Sequence, residues 1–219
     1  SGTVKNNGSQ MIVSFAPEKS GKYELNFNAG VRSVKLATKD ESGTYTQINS
    51  WSNYYDNLYS VYATLNAETT YYFGISAEDR YQELQVTPKL LAKPVKIETK
   101  LLENREYIEE IDDFSDVKLE TTVTFSDGTT KKVSNNETFD GYKIEYEGCL
   151  AGEAEYNRFY YSSLNPGTWN IRPCLVDTDS DDNESDIKGD LTGKEITITV
   201  NSLNDKMSEF TPLEKDKET

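Results

Sequence analysis

The chain contains no histidine, and that absence removes more chemistry than any residue present supplies. Ser-His-Asp and Cys-His nucleophile pairs, imidazole general bases and the commonest zinc ligand all go with it. No P-loop or dinucleotide-binding glycine fingerprint occurs. No apolar run approaches the ~18 residues of a helical membrane span, so membrane insertion is not expected, and no signal peptide is legible. The opening Ser-Gly, in place of Met, reads as a processed or excised form. Positive charge is also short: 23 Lys and Arg face 38 Asp and Glu, for a net charge of −15. Residues 1–92 carry 8 basic and 9 acidic side chains and the rest carries 15 and 29, so the excess lies almost wholly in the second half. Such a surface repels phosphate backbones, which makes nucleic acid and anionic lipid poor partners. The acidity otherwise reads as a solubility device.

What is present favours pleated sheet. Fifteen tyrosines and 8 phenylalanines suit sheets with one wet face. Val117, Leu119, Val123 and Phe125 share one parity and Lys118, Glu120, Thr122 and Thr124 the other, and Asp127-Gly128 then supplies a tight turn. Similar strand signals recur about every ten residues in the first half: Met11, Val13 and Phe15; Tyr23, Leu25 and Phe27; Val34 and Leu36; Tyr71, Phe73 and Ile75; Leu84 and Val86. No segment there keeps a 3.6-residue apolar period. In the second half Lys93-Pro94 opens a strand with Val95 and Ile97, and Tyr142, Ile144 and Tyr146, then Trp169, Ile171 and Leu175, then Ile196, Ile198 and Val200 continue the pattern. The stretch 101–114 is open: Tyr107, Ile111 and Phe114 have helical spacing, whereas Tyr107-Ile108 also reads as strand entry. Residues 65–71 and 164–169 both read as a turn feeding a strand with an aromatic, Tyr71 or Trp169, at the corner. The prediction is an all-β chain of two tandem antiparallel β-sandwiches of immunoglobulin or jelly-roll kind, over 1–92 and 93–203, with 204–219 a polar tail or linker. Residues 148–166 and 177–192 read as insertions in the second sandwich, the kind of loop on which scaffolds carry function.

Two resemblances accompany this pattern. Phe15-Ala-Pro, Ser20-Gly21-Lys-Tyr23-Glu-Leu25, Val34-Lys-Leu36 and the run from Leu65 to Phe73 resemble the bacterial pre-peptidase C-terminal domain, with Glu68 where that family often has Gly. Arg105, Tyr107-Ile108, Phe114 and the strand from Val117 to Phe125 with Ser-Asp-Gly-Thr-Thr after it resemble the group-3 bacterial immunoglobulin-like domain, with Glu110 at a family Gly and Phe125 at a family Tyr. The resemblances imply non-catalytic appendages of a secreted or cell-surface bacterial protein.

The chemistry-bearing candidates are few. Paired carboxylates hydrolyse glycosides, but 38 acidic residues make any pair uninformative, and no enzyme is expected. Asp177, Asp179 and Asp181 alternate as in the first half of an EF-hand loop. Asp182 stands where the Gly should be and Lys188 where the closing Glu should be, so a solvated acidic loop is preferred to a Ca2+ site, and no cofactor is expected. Cys149 and Cys174 could pair, which would close a loop worth roughly 3.5 kcal/mol on the chain-entropy estimate, yet strand parity sets Cys174 with Asn170 and Arg172, opposite the apolar face; both states stay open. The densest aromatic stretch, 51–62, holds Trp51, Tyr54, Tyr55, Tyr59 and Tyr62 with Asn and Asp between them. Rings of this kind stack sugar faces or pack the sheet. Read as one strand, the stretch sets Tyr55, Tyr59 and Val61 on one face and Tyr54 and Tyr62 on the other. The expected function is a non-catalytic spacer or adhesion module, secreted or on the cell surface; the alternative is a carbohydrate-binding module built on this stretch. The expected partners are other domains of a larger surface protein, and a glycan or protein ligand.

Overall fold

The computed structural model describes residues 2–5 (backbone only), 10–77, 83–134, 137–153, 155–158, 164–178, 191–207 and 209. The chain divides into two units, Ser1–Lys93 with Thr138–Tyr142 and Asp177–Asn183, and Pro94–Glu137 with Lys143–Val176 and Glu184–Thr219. Strands dominate both.

In the first unit, alternating apolar residues form β1 (Gly2–Lys5), β2 (Met11–Phe15), β3 (Gly21–Lys39), β4 (Tyr45–Ser52), β5 (Leu58–Leu65), β6 (Tyr71–Ala77) and β7 (Glu83–Leu90). The segments 23–27 and 34–36, read from sequence as separate strands, are one 19-residue strand. Nothing in Asn28-Ala29-Gly30 forces a chain reversal, so the strand bends instead of ending. Its first part pairs antiparallel with β5 and β7 (Leu25 opposite Val61 and Pro88), and its second part pairs with β4 and β6 (Leu36 opposite Asn49 and Phe73). At the bend the register with β5 jumps from Asn26 opposite Ser60 to Val31 opposite Leu58. Asn28 anchors the bend, its Oδ1 accepting from Gln85 N at 2.7 Å and its Nδ2 donating to Glu83 O at 3.3 Å. Leu25, Val31, Val34, Leu65, Phe73, Ile75 and Leu84 fill the core between the layers.

The corner before β6 behaves as its aromatic suggests. Tyr71 Oη accepts from Asn66 N at 3.0 Å, and Ser20 Oγ accepts from Ala67 N at 2.8 Å. Glu68 lies in this turn at φ 65°. A turn at 140–141 also belongs to this unit: Asp140 and Gly141 both have positive φ, and a Cβ on Gly141 would sit 2.6 Å from the Tyr62 Cβ. The nearby Lys22 ammonium is buried, ion-paired with Asp177 and 5.1 Å from the centre of the Tyr142 ring.

Pro94 begins β8 (Pro94–Leu101), where its missing N–H costs no ladder bond. The ambiguous stretch resolves into a short strand, β9 (Tyr107–Ile108), then a 3-10 turn at Phe114–Asp116. Asp113 caps that turn by accepting from Ser115 N at 2.6 Å, while Asp116 accepts from Asp113 N at 3.0 Å. Ile111 is exposed, so the helical spacing of 107, 111 and 114 never makes a buried stripe. There follow β10 (Leu119–Phe125), β11 (Thr130–Val133), β12 (Thr138–Phe139, in the first unit), β13 (Tyr142–Leu150), β14 (Asn157–Arg158), β15 (Gly167–Asp177), β16 (Leu191–Thr192) and β17 (Ile196–Asn201). The hairpin of β10 and β11 turns at Gly128, φ 84°, with Asp127 bonding the Thr129 amide at 3.0 Å. One sheet runs β11-β10-β8; another sets β13 beside β15, β17 and β9, the last pair parallel. Thr121, fully buried on β10, bonds Tyr146 Oη of β13 at 2.6 Å and Thr99 of β8 at 2.5 Å, joining the two sheets through hydroxyls. The second corner aromatic also meets the backbone, Trp169 Nε1 donating to Asn165 O at 2.8 Å. The fold is all-β with sandwich architecture. Within the region read as a polar tail, a short helix α1 (Leu203–Met207) forms, and its Lys206 reaches Glu106 at 3.1 Å.

Glu68 at φ 65° and Glu110 at φ 64° occupy left-handed backbone, which disfavours any side chain with a Cβ. Glu68→Gly and Glu110→Gly should each stabilise by up to about 1 kcal/mol, the relief of strain exceeding the added freedom of the unfolded chain. Urea denaturation reads this as a higher midpoint with an unchanged slope.

Candidate functional site

The aromatic stretch 51–62 is interrupted. Trp51, the penultimate residue of β4, lies opposite Val34 of β3, is half-buried, and packs against the core of the first unit. The chain then turns over 53–57 before β5 begins. Asn53 sets the turn, its Oδ1 accepting from Tyr55 N at 3.1 Å and Asp56 N at 3.2 Å. That geometry throws Tyr54 and Tyr55 into solvent, 95% and 91% exposed. Their rings meet edge to face, centroids 5.4 Å apart and planes at 79°. Tyr59, early in β5, is also exposed, beyond the point where Val61 and Ala63 of the same face enter the core. Tyr62 faces the other way, half-buried, with its hydroxyl 3.4 Å from Glu24, and burial followed by that carboxylate raises its pKa.

Glycine decides how closely this loop lies on its support. A Cβ at Gly30 would come within 2.6–2.9 Å of the Asn57 side chain, so Asn57 rests on bare backbone of β3. Two residues on, exposed Arg32 joins the loop. Together Arg32, Ser52, Asn53, Tyr54, Tyr55, Asp56, Asn57 and Tyr59 line an open hollow of about 910 Å3. Of the five aromatics singled out from sequence, Tyr54, Tyr55 and Tyr59 come together here, and Trp51 and Tyr62 do not. Arg32 was missed. Only the register that places Ser33 opposite Ser52 brings it to the loop.

No family model and no curated protein matches the chain.

Of the three acidic candidates, Asp177 alone is described. Both carboxylate oxygens of Asp177 are engaged in the first unit, Oδ1 with Lys22 and Oδ2 with Thr64 at 3.2 Å, whereas Asp179 and Asp181 lie outside the described residues. Among the described residues no three carboxylate or thiol side chains gather as metal ligands do.

Cys149 and Cys174 are free, buried thiols. Arg172 of β15 clamps Glu147 of β13 through Nε at 3.0 Å and Nη2 at 2.7 Å, and Ala151 N donates to Thr168 O at 2.8 Å. These two links run the strands antiparallel, so Cys149, two residues past Glu147, and Cys174, two past Arg172, diverge from the clamp in opposite directions. Four residues of strand separate them by roughly 13 Å, against a limit of about 7 Å between Cα atoms for a disulfide. The pairing left open by the sequence thus fails on register. Arg172 also stacks on Tyr156, 3.9 Å from its ring centre, and Tyr156 Oη donates to Glu195 at 2.5 Å, which raises the pKa of the phenol.

Burial, then the Glu147 carboxylate, pushes the Cys174 thiol up to about 12 from 9.0. The unfolded thiol ionises first, so this site's contribution to stability is whole below pH 9 and is lost as pH climbs toward 12. At pH 8 a group of that acidity is thiolate in about one molecule in ten thousand. Iodoacetamide should therefore leave Cys174 unmodified in the native chain and alkylate it in denaturant, as peptide mass mapping would show. Rapid native labelling would contradict its placement.

Proposed function

We propose that this chain is a non-catalytic module of a secreted or cell-surface bacterial protein, acting as spacer and adhesin through the loop at 53–57. The observation that carries the reading is the pair Tyr54 and Tyr55, almost wholly exposed yet held by a side-chain-bonded turn and a glycine-seated Asn57. Exposed aromatics cost solubility without adding to a core, and are enriched where surfaces are recognised. The lack of histidine and the buried, protonated Cys174 thiol support a role without nucleophilic catalysis. The bacterial and secreted setting rests on the two sequence resemblances alone.

Beads coated with the chain, offered to intact bacterial and animal cells and to isolated wall and mucus preparations, test the reading. Retention on at least one surface is expected, with loss in the Tyr54→Ala/Tyr55→Ala double variant, which far-ultraviolet circular dichroism should show to be folded. Retention on none, or retention indifferent to the double substitution, would overturn it.

A further inference from the structure

Resting on that adhesive reading, we infer that the hollow at 53–57 takes a neutral oligosaccharide. Three features of its wall point to this ligand. First, none of its eight described lining residues is aliphatic. Ser52, Asn53, Asp56 and Asn57 stand among the rings, so the wall sets hydroxyl partners beside its aromatic faces.

Second, the two tyrosine rings cross at 79°. They form no flat double platform. One ring can lie under the face of a single pyranose while the other stands against its edge, a corner fitted to one sugar ring and its neighbours. The volume, about 910 Å3, lies within the ~300–1,000 Å3 of small-ligand clefts and accommodates a short chain of sugars rather than one.

Third, the described lining residues include one cation and one anion, Arg32 and Asp56, and neither is ion-paired with another described residue. Guanidinium donates and carboxylate accepts, so between them they satisfy both sides of a hydroxyl pair, with the Asn53, Asn57 and Ser52 side chains around the rim. The local charge cancels. A sialylated or sulfated chain would meet Asp56 as a like charge and gain from Arg32 only what Asp56 takes away.

An array of neutral, sialylated and sulfated oligosaccharides, followed by NMR titration of the chain with the neutral binders, tests the assignment. Binding to neutral members, unchanged at high salt, is expected, with perturbed amides at 53–59 and near Arg32. Substituting the ring that stacks, found by comparing Tyr54→Ala with Tyr55→Ala, should weaken binding five- to tenfold, and the corresponding Phe variant should restore it. Asp56→Ala should weaken it while Asp56→Asn keeps part of it. Binding confined to charged glycans would overturn the inference, as would neutral binding indifferent to both tyrosines. An empty array with bead retention still dependent on Tyr54 and Tyr55 would make the ligand a protein, sinking this inference and leaving the adhesive reading intact. An empty array with no retention would sink both.

Discussion

Replacing Phe73 by alanine should lower the stability of the first unit by about 3–5 kcal/mol. Phe73 has no exposed surface and sits centrally on β6, between Val13 of β2 and Leu36 of β3. Truncation forfeits the transfer free energy of the ring and also leaves a void. Beside it lies an apolar hollow of about 210 Å3, lined by Val13, Phe15, Leu25 and Val86 among others, so the neighbours have little to collapse onto. The cost therefore belongs in the upper part of the range. Native-state hydrogen exchange would locate it: amides of β3 and β6 should lose protection. Amides of β10 and β13 should keep theirs, because Val123, Ile144 and Ile171 fill a core of the second unit. Equal losses in both places would contradict separate cores.

Trp51→Ala should cost about 2 kcal/mol, less than the ~3–5 of a fully buried ring because Trp51 is half-buried. The indole covers the core beside Val34, near the end of β4. By contrast Tyr54→Ala and Tyr55→Ala should each stay within ~0.5 kcal/mol, since those rings touch little but one another. Binding should show the reverse order, with the tyrosines deciding it and Trp51 affecting it only through stability. Urea melts and the oligosaccharide titration on the same three variants would separate the roles. A Trp51→Ala chain of wild-type stability that had lost binding would restore the tryptophan to the site.

Period-2 alternation made most strands legible, because it follows directly from one face being wet. The corner aromatics Tyr71 and Trp169 were legible for a similar reason, since a turn followed by an aromatic strand leaves a polar ring atom near free backbone. What stayed hidden depended on pairing. The continuity of β3 cannot be read from Asn28-Ala29-Gly30, which suits a loop as well as a bend. Nor does the aromatic run 51–62 announce its interruption: only Asn53, bonding two amides ahead of it, marks the turn, and asparagine is common. The distance between Cys149 and Cys174 follows from which residue faces Arg172, a fact of register that spacing along the chain does not contain.

The strand that bends between two layers also sets a timetable. β4 and β5 are near β3 in the chain and can reach it by short loops, but the remaining edge of its first half waits for β7, with Leu25 finding Pro88 only after the intervening chain has come in. Until then no order of events leaves β3 without an open edge. Made before β6 has paired, that contact closes a loop of about sixty residues, the entropic pattern of slow, millisecond-to-second β folding; made after it, only the short connection from Ala77 to Glu83 has to close. A half-assembled first unit is therefore the species most exposed to mispairing with another chain, and dilution or rapid completion of the fold is its protection.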